Sequence, residues 1–248
     1  MTGWLSSSAG GHLQFETTQW SLISAAAVED RESRAALEDL YRTYCYPVYS
    51  FVRRRGYSRQ DAQDLTHDFF VHLVEKNSFR RAETVQGKFR AFLLRELEFF
   101  LRHMDERART QKRGGRATMV FLDDATAEAD YQLTDRGQTA EQIFDARWAA
   151  MLLDGALARL KGEMEEAGKQ PLFDQLCGFL MESEERSYLE VAQRVGLTVA
   201  ATKAAIFRLR ARYRELLRAE VARTVSTSAD FEEEIQALRS SLIGYYSR

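Results

Sequence analysis

The chain of 248 residues is long enough for one large or two small domains, and its composition, 45% hydrophobic and 29% charged, is that of a globular protein. It has no apolar stretch long enough to cross a bilayer and no basic start followed by an apolar signal core, so we expect a cytoplasmic protein. The net charge of -2 hides a segregation of basic and acidic residues along the chain. Cys45 and Cys177 lie within apolar helical patterns and are expected to be reduced.

Helical patterns dominate the chain and predict an all-α protein, with two small helical domains joined by a flexible acidic linker. The second domain contains a helix-turn-helix. The predicted organisation is a disordered leader over 1–16, a first domain over 17–113, a linker over 114–138, a second domain over 139–225 and an acidic amphipathic tail over 226–248. The helix of the tail is expected to be capped by Asp230.

The first domain contains a helix with an acidic face. Ser58 and Asp61 predict its start. Asp61, Asp64 and Asp68 recur at spacings of three and four, which place them on one face of a helix. This acidic stripe is a candidate docking surface.

A later helix, predicted over roughly 86–112, combines a buried apolar stripe with a basic end. Phe99 falls outside the buried stripe. The basic residues that cluster toward its end are Arg102, Arg107, Arg109, Lys112, Arg113 and Arg116. Exposed aromatic rings beside cations suit single-stranded nucleic acid, because bases stack on the rings and phosphates pair with the cations.

Residues 187–218 have the pattern of a helix-turn-helix. Ser187 and Glu190 form a capping box, Gly196 is suited to end the first helix, and Thr198 caps the second. The second helix carries the cations Lys203, Arg208, Arg210, Arg212, Arg214 and Arg218. A helix-turn-helix places its second helix in a DNA major groove. DNA phosphates are therefore the expected counter-charge for these cations.

The side chains expected to face that groove are mostly apolar. They are Val199, Ala200, Lys203, Ala204, Phe207 and Arg208. Only Lys203 and Arg208 can donate hydrogen bonds to base edges, so contacts with thymine methyl groups or loose specificity are expected.

In their order, these segments resemble bacterial RNA polymerase sigma factors of the ECF (extracytoplasmic function) class. The resemblance covers about residues 17–243. It rests on DAQDLTHDFFVHLVEK, on GKFRAFLLRELEFFLRHMDERARTQKRGG, on the acidic linker, and on SYLEVAQRVGLT followed by AIFRLRARYRELLR. A large ECF-like subgroup also shares the Thr-x-x-Trp-Ser-Leu element that starts here at Thr17.

The resemblance implies a factor that binds core RNA polymerase and promoter DNA. Polymerase binding would use Asp61, Asp64, Leu65, Asp68 and Phe70. The residues implied in melting and holding the minus-10 promoter element are Phe99, Arg102, Arg109, Lys112 and Arg113. Those implied in reading the minus-35 element as duplex are Thr198, Lys203, Phe207, Arg208 and Arg210. Three positions depart from the family's usual residues: His67, Phe99 and Thr202.

Two other interpretations stay open. One is a helix-turn-helix transcription regulator that does not engage polymerase. The other is an enzyme with a metal site built from Asp64, His67, Asp68 and His72. The sequence has no phosphate-binding glycine loop and no recognisable nucleophile motif, so we predict no catalytic residue, metal or cofactor.

The family and the sequence suggest different forms of control. The family implies regulation by an anti-sigma partner. The acidic C-terminal helix suggests instead self-inhibition through the basic DNA-binding faces.

Overall fold

The computed structural model describes residues 31–75, 87–110, 137–181 and 187–246. Eight α-helices cover most of these residues: α1 Arg31–Arg54, α2 Arg59–Glu75, α3 Phe89–Thr110, α4 Ala140–Glu166, α5 Gln170–Leu176, α6 Tyr188–Val195, α7 Val199–Ala222 and α8 Ser228–Tyr246. A short 3-10 helix, Cys177–Met181, follows α5. In the described ranges, extended pairing is limited to a single bridge between Lys88 and Val225, and the predicted all-α class is confirmed.

The described residues divide into two compact units. The first unit comprises the described residues between 31 and 151 and between 223 and 246, and the second comprises those between 152 and 222. The chain leaves the first unit inside α4 and returns to it after α7. The second unit is therefore an insertion in the sequence of the first.

The predicted leader and almost all of the predicted linker lie outside the described residues. The helices on either side of the linker, α3 and the first half of α4, both belong to the first unit. The division between the units falls instead after residue 151, within a continuous helix. Gly155 and Gly162 lie within this helix and do not interrupt it, so they do not mark the division in the sequence.

Aromatic side chains form the core of the first unit. The ring of Trp148 on α4 stacks on that of Tyr44 on α1, with centroids 4.7 Å apart. Both rings also contact Phe89 at the start of α3, at 5.8 and 5.2 Å. Phe51 meets Phe144 edge-on at 6.2 Å. These contacts draw α1, α3 and α4 together, because large rings contribute much of the apolar area that a small core buries.

The C-terminal segment closes this unit. The backbone N–H of Phe89 donates to the carbonyl of Thr224 at 2.8 Å. The hydroxyl of Ser226 accepts from the N–H of Gly87 and donates to its carbonyl, both at 3.2 Å. The buried apolar positions of α8 recur at spacings of four and three: Phe231, Ile235 and Leu238. The last helix is therefore part of the first unit's core.

An ion network joins α8 to α3 and α4. Arg90 of α3 donates through Nε and Nη2 to the two carboxylate oxygens of Glu234, at 2.8 and 3.0 Å, and its Nη1 contacts Asp145 of α4. The side chain of Glu234 is wholly buried and that of Arg90 is 12% exposed. Burial disfavours the charge on Arg90, but hydrogen bonds and negative charge from Glu234 and Asp145 raise its pKa overall. Burial also raises the pKa of Asp145.

The start of α8 corrects one prediction. The hydroxyl of Thr227 accepts from the backbone N–H of Asp230 at 3.1 Å and donates to its carboxylate at 2.6 Å. Thr227 is therefore the cap, and Asp230 is its partner three residues on.

Two acids of α8 pair with basic residues of the first unit. Glu233 pairs with Lys88 at 2.6 Å, and Glu234 pairs with Arg90. Neither basic residue is among those predicted to bind DNA. These two contacts stabilise the first unit.

The second unit has a separate core. It is built from the second half of α4, α5, the 3-10 helix, α6 and α7, and its buried residues include Leu160, Phe173, Leu176, Leu180, Val191, Ile206 and Leu209. The hydroxyl of Tyr213 donates to the carbonyl of Leu153 at 3.1 Å, and burial raises its pKa. Among the described residues, Cys45 and Cys177 are free thiols, and burial raises the pKa of Cys45 to about 11.

The substitution Glu234→Ala tests the ion network. It leaves Arg90 buried with Asp145 alone, and removing one partner from a buried ion pair costs about 3–5 kcal/mol. We expect the free energy of unfolding, measured by urea denaturation, to fall by that amount. The matched control is Glu233→Ala, because the Glu233 side chain is 70% exposed in its pair with Lys88. The control should lower stability by less than about 1 kcal/mol. Equal losses in the two variants would contradict a special role for the network.

Candidate functional site

The acidic face of α2 starts at its first turn. Ser58 caps the helix, since its hydroxyl accepts from the backbone N–H of Asp61 at 3.1 Å and donates to the Asp61 carboxylate at 2.7 Å. Asp61 is exposed, and Asp64, Leu65 and Asp68 are half-buried. The three carboxylates share one face of α2, and that of Asp61 lies in the first turn, where the helix dipole favours negative charge.

Phe70 lies in the core and not on this face. Only 2% of it is exposed. Its ring meets those of Tyr41 at 5.2 Å and Phe69 at 5.4 Å. Phe70 follows Asp61 by nine residues, or two and a half helical turns, so it points away from the acidic side. The prediction that groups Phe70 with the surface acids is therefore corrected.

The exposed face of α3 carries an aromatic ring beside a cation. Phe99 is 52% exposed, as its position outside the apolar stripe predicts. Arg102 is exposed one turn further on, and its Nε donates to the carbonyl of Glu98 at 3.3 Å. Lys112 and Arg113 lie outside the described residues, and so does the side chain of Arg109.

An open pocket of about 380 Å³ lies beside this part of α3. Its lining residues are Arg55, Tyr57, Glu98, Leu101, Arg102 and Asp105. The hydroxyl of Tyr57 donates to Asp105 at 2.7 Å, and burial together with this hydrogen bond raises its pKa to about 12. The Nη2 atom of Arg55 lies 3.5 Å from Oε1 of Glu98 and 3.7 Å from Oε1 of Glu141. The pocket therefore mixes both signs of charge.

The sequence does not predict this pocket. Tyr57 and Asp105 are 48 positions apart and belong to no shared local pattern. Glu98 and Asp105 also belong to α3, a helix whose sequence is most notable for its basic C-terminal end. Only the packing of the turn after α1 against α3 brings these groups together.

The junction between α6 and α7 forms as predicted. Ser187 and Glu190 make the reciprocal capping box, with bonds of 3.2 and 3.1 Å. Gly196 ends α6 with a φ of 68°, in the left-handed region that favours glycine. The hydroxyl of Thr198 accepts from the backbone N–H of Ala201 at 3.1 Å and so caps α7. Residues 196–198 thus form a tight turn between two capped helices.

The structure explains how a threonine is tolerated at the buried position 202. It is buried, and its hydroxyl donates to the backbone carbonyl of Thr198 at 3.1 Å. This bond satisfies a hydroxyl that would otherwise be costly to bury.

Two arginines of α7 have acceptors within the second unit in place of the phosphates expected for them. Arg210 donates through Nε and Nη2 to the carbonyl of Phe179, at 2.8 and 2.6 Å. Arg212 donates to both carboxylate oxygens of Glu163, at 2.8 and 2.7 Å, and to Glu215 at 2.8 Å. The hydrogen bond from Arg212 lowers the pKa of Glu163. The guanidinium of Arg210, a residue predicted to contact DNA, thus binds the 3-10 helix.

The N-terminal half of α7 presents the remaining predicted residues outward. Lys203 and Arg208 are exposed, and Phe207 is 68% exposed. The ammonium of Lys203 lies 5.3 Å from the centre of the Tyr188 ring. Neither Lys203 nor Arg208 forms a salt bridge with an acid in the part of the chain that the structure describes.

The histidines considered as metal ligands pack on aromatic rings. His67 meets Tyr41 at 6.1 Å and His72 meets Phe100 at 5.2 Å. In the described ranges, no group of three or more His, Cys, Asp or Glu side chains is arranged to hold a metal ion. None of the helices in those ranges has the length and apolar character of a membrane span.

In comparisons with known proteins, no family model, curated protein or solved structure matches the chain.

The substitution Arg210→Ala tests whether the hydrogen bonds from Arg210 to Phe179 stabilise the fold. The variant removes both donors from the Phe179 carbonyl, and an unsatisfied buried acceptor costs about 1–3 kcal/mol. We expect the free energy of unfolding, followed by circular dichroism in urea, to fall by that amount. Lys203→Ala is the control and should change it by no more than about 0.5 kcal/mol, since its side chain is exposed. Unchanged stability in Arg210→Ala would show that the guanidinium is dispensable to the fold.

Proposed function

We propose that this protein is a transcription initiation factor of the sigma type, which binds core RNA polymerase and directs it to promoter DNA. The observation that carries the proposal is the α6–α7 junction. Its capped turn holds the first half of α7 with Lys203, Phe207 and Arg208 facing outward. A helix-turn-helix that enters a major groove requires this arrangement.

The first unit supports a role in docking to polymerase. Asp61, Asp64 and Asp68 give α2 a negatively charged face. In the ECF sigma factors that the sequence resembles, the corresponding helix grips the clamp helices of the largest polymerase subunit. Charges at such an interface steer the encounter and fix the register of the partners.

The exposed face of α3 supports a role in promoter opening. A melted promoter presents unpaired bases, and stacking on an aromatic side chain contributes about 1–3 kcal/mol per base. Phe99 offers such a ring, and Arg102, one turn away, offers a charge for the phosphates. The first unit would hold the minus-10 element as single strand while α7 reads the minus-35 element as duplex.

A regulator that binds only duplex DNA accounts for less of the molecule. It requires the α6–α7 junction but assigns no role to the acidic face of α2 or to Phe99. Association with polymerase discriminates between the two functions.

The pair of substitutions Asp61→Arg and Asp64→Arg tests the docking surface. We expect the unaltered chain to co-purify with bacterial core RNA polymerase and the double variant to lose this association, because two attractive charges become repulsive. Glu165→Arg with Glu166→Arg is a matched control, since both acids are exposed near the end of α4.

Each result of the co-purification has a definite meaning. Retention of the control and loss of the α2 variant support docking through the acidic face. If the unaltered chain ignores polymerase but binds duplex DNA, the regulator interpretation replaces the sigma-type one. If both variants bind polymerase normally, another surface makes the contact.

Salt dependence tests which cations of α7 meet DNA. The logarithm of the binding constant falls linearly with the logarithm of salt concentration, and each phosphate contact adds nearly one to the slope. We expect Lys203→Ala and Arg208→Ala each to reduce the slope by about one, measured by fluorescence anisotropy with a short labelled duplex. Arg212→Ala is the control and should leave the slope unchanged, because Glu163 holds this guanidinium. A reduced slope in the control alone would contradict the assignment.

A further inference from the structure

An apolar stripe runs along the outward face of α7. The buried residues of the first half of this helix, Thr202, Ile206 and Leu209, define its inward side. On the other side stand Ala200, Ala204 and Phe207, spaced by four and three residues and all exposed. A second apolar face on a helix that already packs into a core needs an explanation, because exposed apolar surface commonly marks a binding site.

Two cations flank the stripe. With 3.6 residues per turn, the order around the helix is Lys203, then Phe207, Ala200 and Ala204, then Arg208. Arg210 and Arg212 are committed to internal acceptors. The stripe is thus bordered by the cations of this half of the helix that remain exposed.

The chemistry of this face favours duplex DNA over a protein partner. The flanking cations complement the two phosphate backbones that border a major groove. The alanines allow the helix backbone to approach the base edges closely, and the major groove is wide enough for an α-helix. The apolar groups that DNA displays there are the C5 methyl groups of thymine.

We propose that Ala200, Ala204 and Phe207 read thymine methyl groups in the major groove, so that the duplex bound by α7 has A·T pairs beneath the stripe. The inference rests on the proposed DNA-binding function and adds a base preference to it. Lys203 and Arg208 fix the register on the phosphates or on flanking bases. Sequence preference then comes chiefly from apolar contact, with few hydrogen bonds to bases.

Replacing thymine by deoxyuridine isolates this contact. The change removes one methyl group and leaves the base pair and its hydrogen-bonding edge unaltered. Duplexes are first enriched from a random library by the full-length chain, with and without core RNA polymerase. Each thymine of the enriched duplex is then replaced in turn, and Kd is measured with the full-length chain under the enriching condition.

We expect Kd to rise about fourfold for each methyl that contacts the stripe, equivalent to ~0.8 kcal/mol. In Phe207→Ala the effect should vanish at one of these positions, because the partner of that methyl is gone. Phe207 is 68% exposed, so the substitution leaves the core intact. The control is Leu189→Ala, since Leu189 is an apolar residue of α6 that is 56% exposed. This variant should show the same rise in Kd at every methyl position as the unaltered chain.

The outcomes separate the two proposals. Enrichment of duplexes with no effect of deoxyuridine would overturn methyl reading and leave DNA binding intact. Failure to enrich any duplex would overturn DNA binding and methyl reading together. In a third outcome, sedimentation shows a dimer that Phe207→Ala abolishes, while the methyl effects in this variant equal those of the unaltered chain. That result would assign the stripe to a second copy of the chain and overturn the inference.

Discussion

Arg90 imposes the constraint on which the first unit depends, because its guanidinium joins three helices that are distant in sequence. A buried guanidinium is tolerated only when carboxylates compensate it, and here they come from α4 and α8. Glu234 has no solvent-exposed side-chain surface, so α8 cannot leave without breaking the ion pair between Arg90 and Glu234 and exposing its own Phe231. The last helix is thereby part of the scaffold that holds α2 and α3, and with them the acidic face and Phe99.

Local features of this fold could be predicted from the sequence, and contacts between distant residues could not. The caps at Ser187 and Thr198 and the turn at Gly196 depend on side chains and backbone groups no more than five residues apart, so the sequence pattern contains them. The exposure of Phe99 follows equally from helical periodicity. Arg210 resembles any other basic residue of α7, because the carbonyl it binds lies 31 positions away. The position of α8 could not be predicted for the same reason. Its Glu233 and Glu234 pair with Lys88 and Arg90, which lie 145 and 144 positions away in the sequence.

The distribution of charge on α7 bears on the proposal that this helix binds DNA. A count of basic residues suggests a helix that binds phosphates along its whole length. Arg212, held by Glu163, instead stabilises the second unit, and Arg210 does so through Phe179. In the first half of the helix, the exposed cations Lys203 and Arg208 border an apolar stripe. Under the proposed function, Lys203, Arg208 and the apolar stripe would therefore meet DNA together, on the segment that the turn positions.

The insertion of the second unit into the first has a consequence for the order of synthesis. Arg90 leaves the ribosome 144 residues before Glu234. At roughly 5–20 residues per second, this leaves Arg90 without that carboxylate for about 7–29 seconds. The second unit is synthesised completely within that interval, whereas the first cannot close until Leu238 has emerged. A translation product that stops before α8 would therefore carry an intact α6–α7 junction on an unfinished first unit, and only chains that include α8 would present the acidic face of α2 on a stable scaffold.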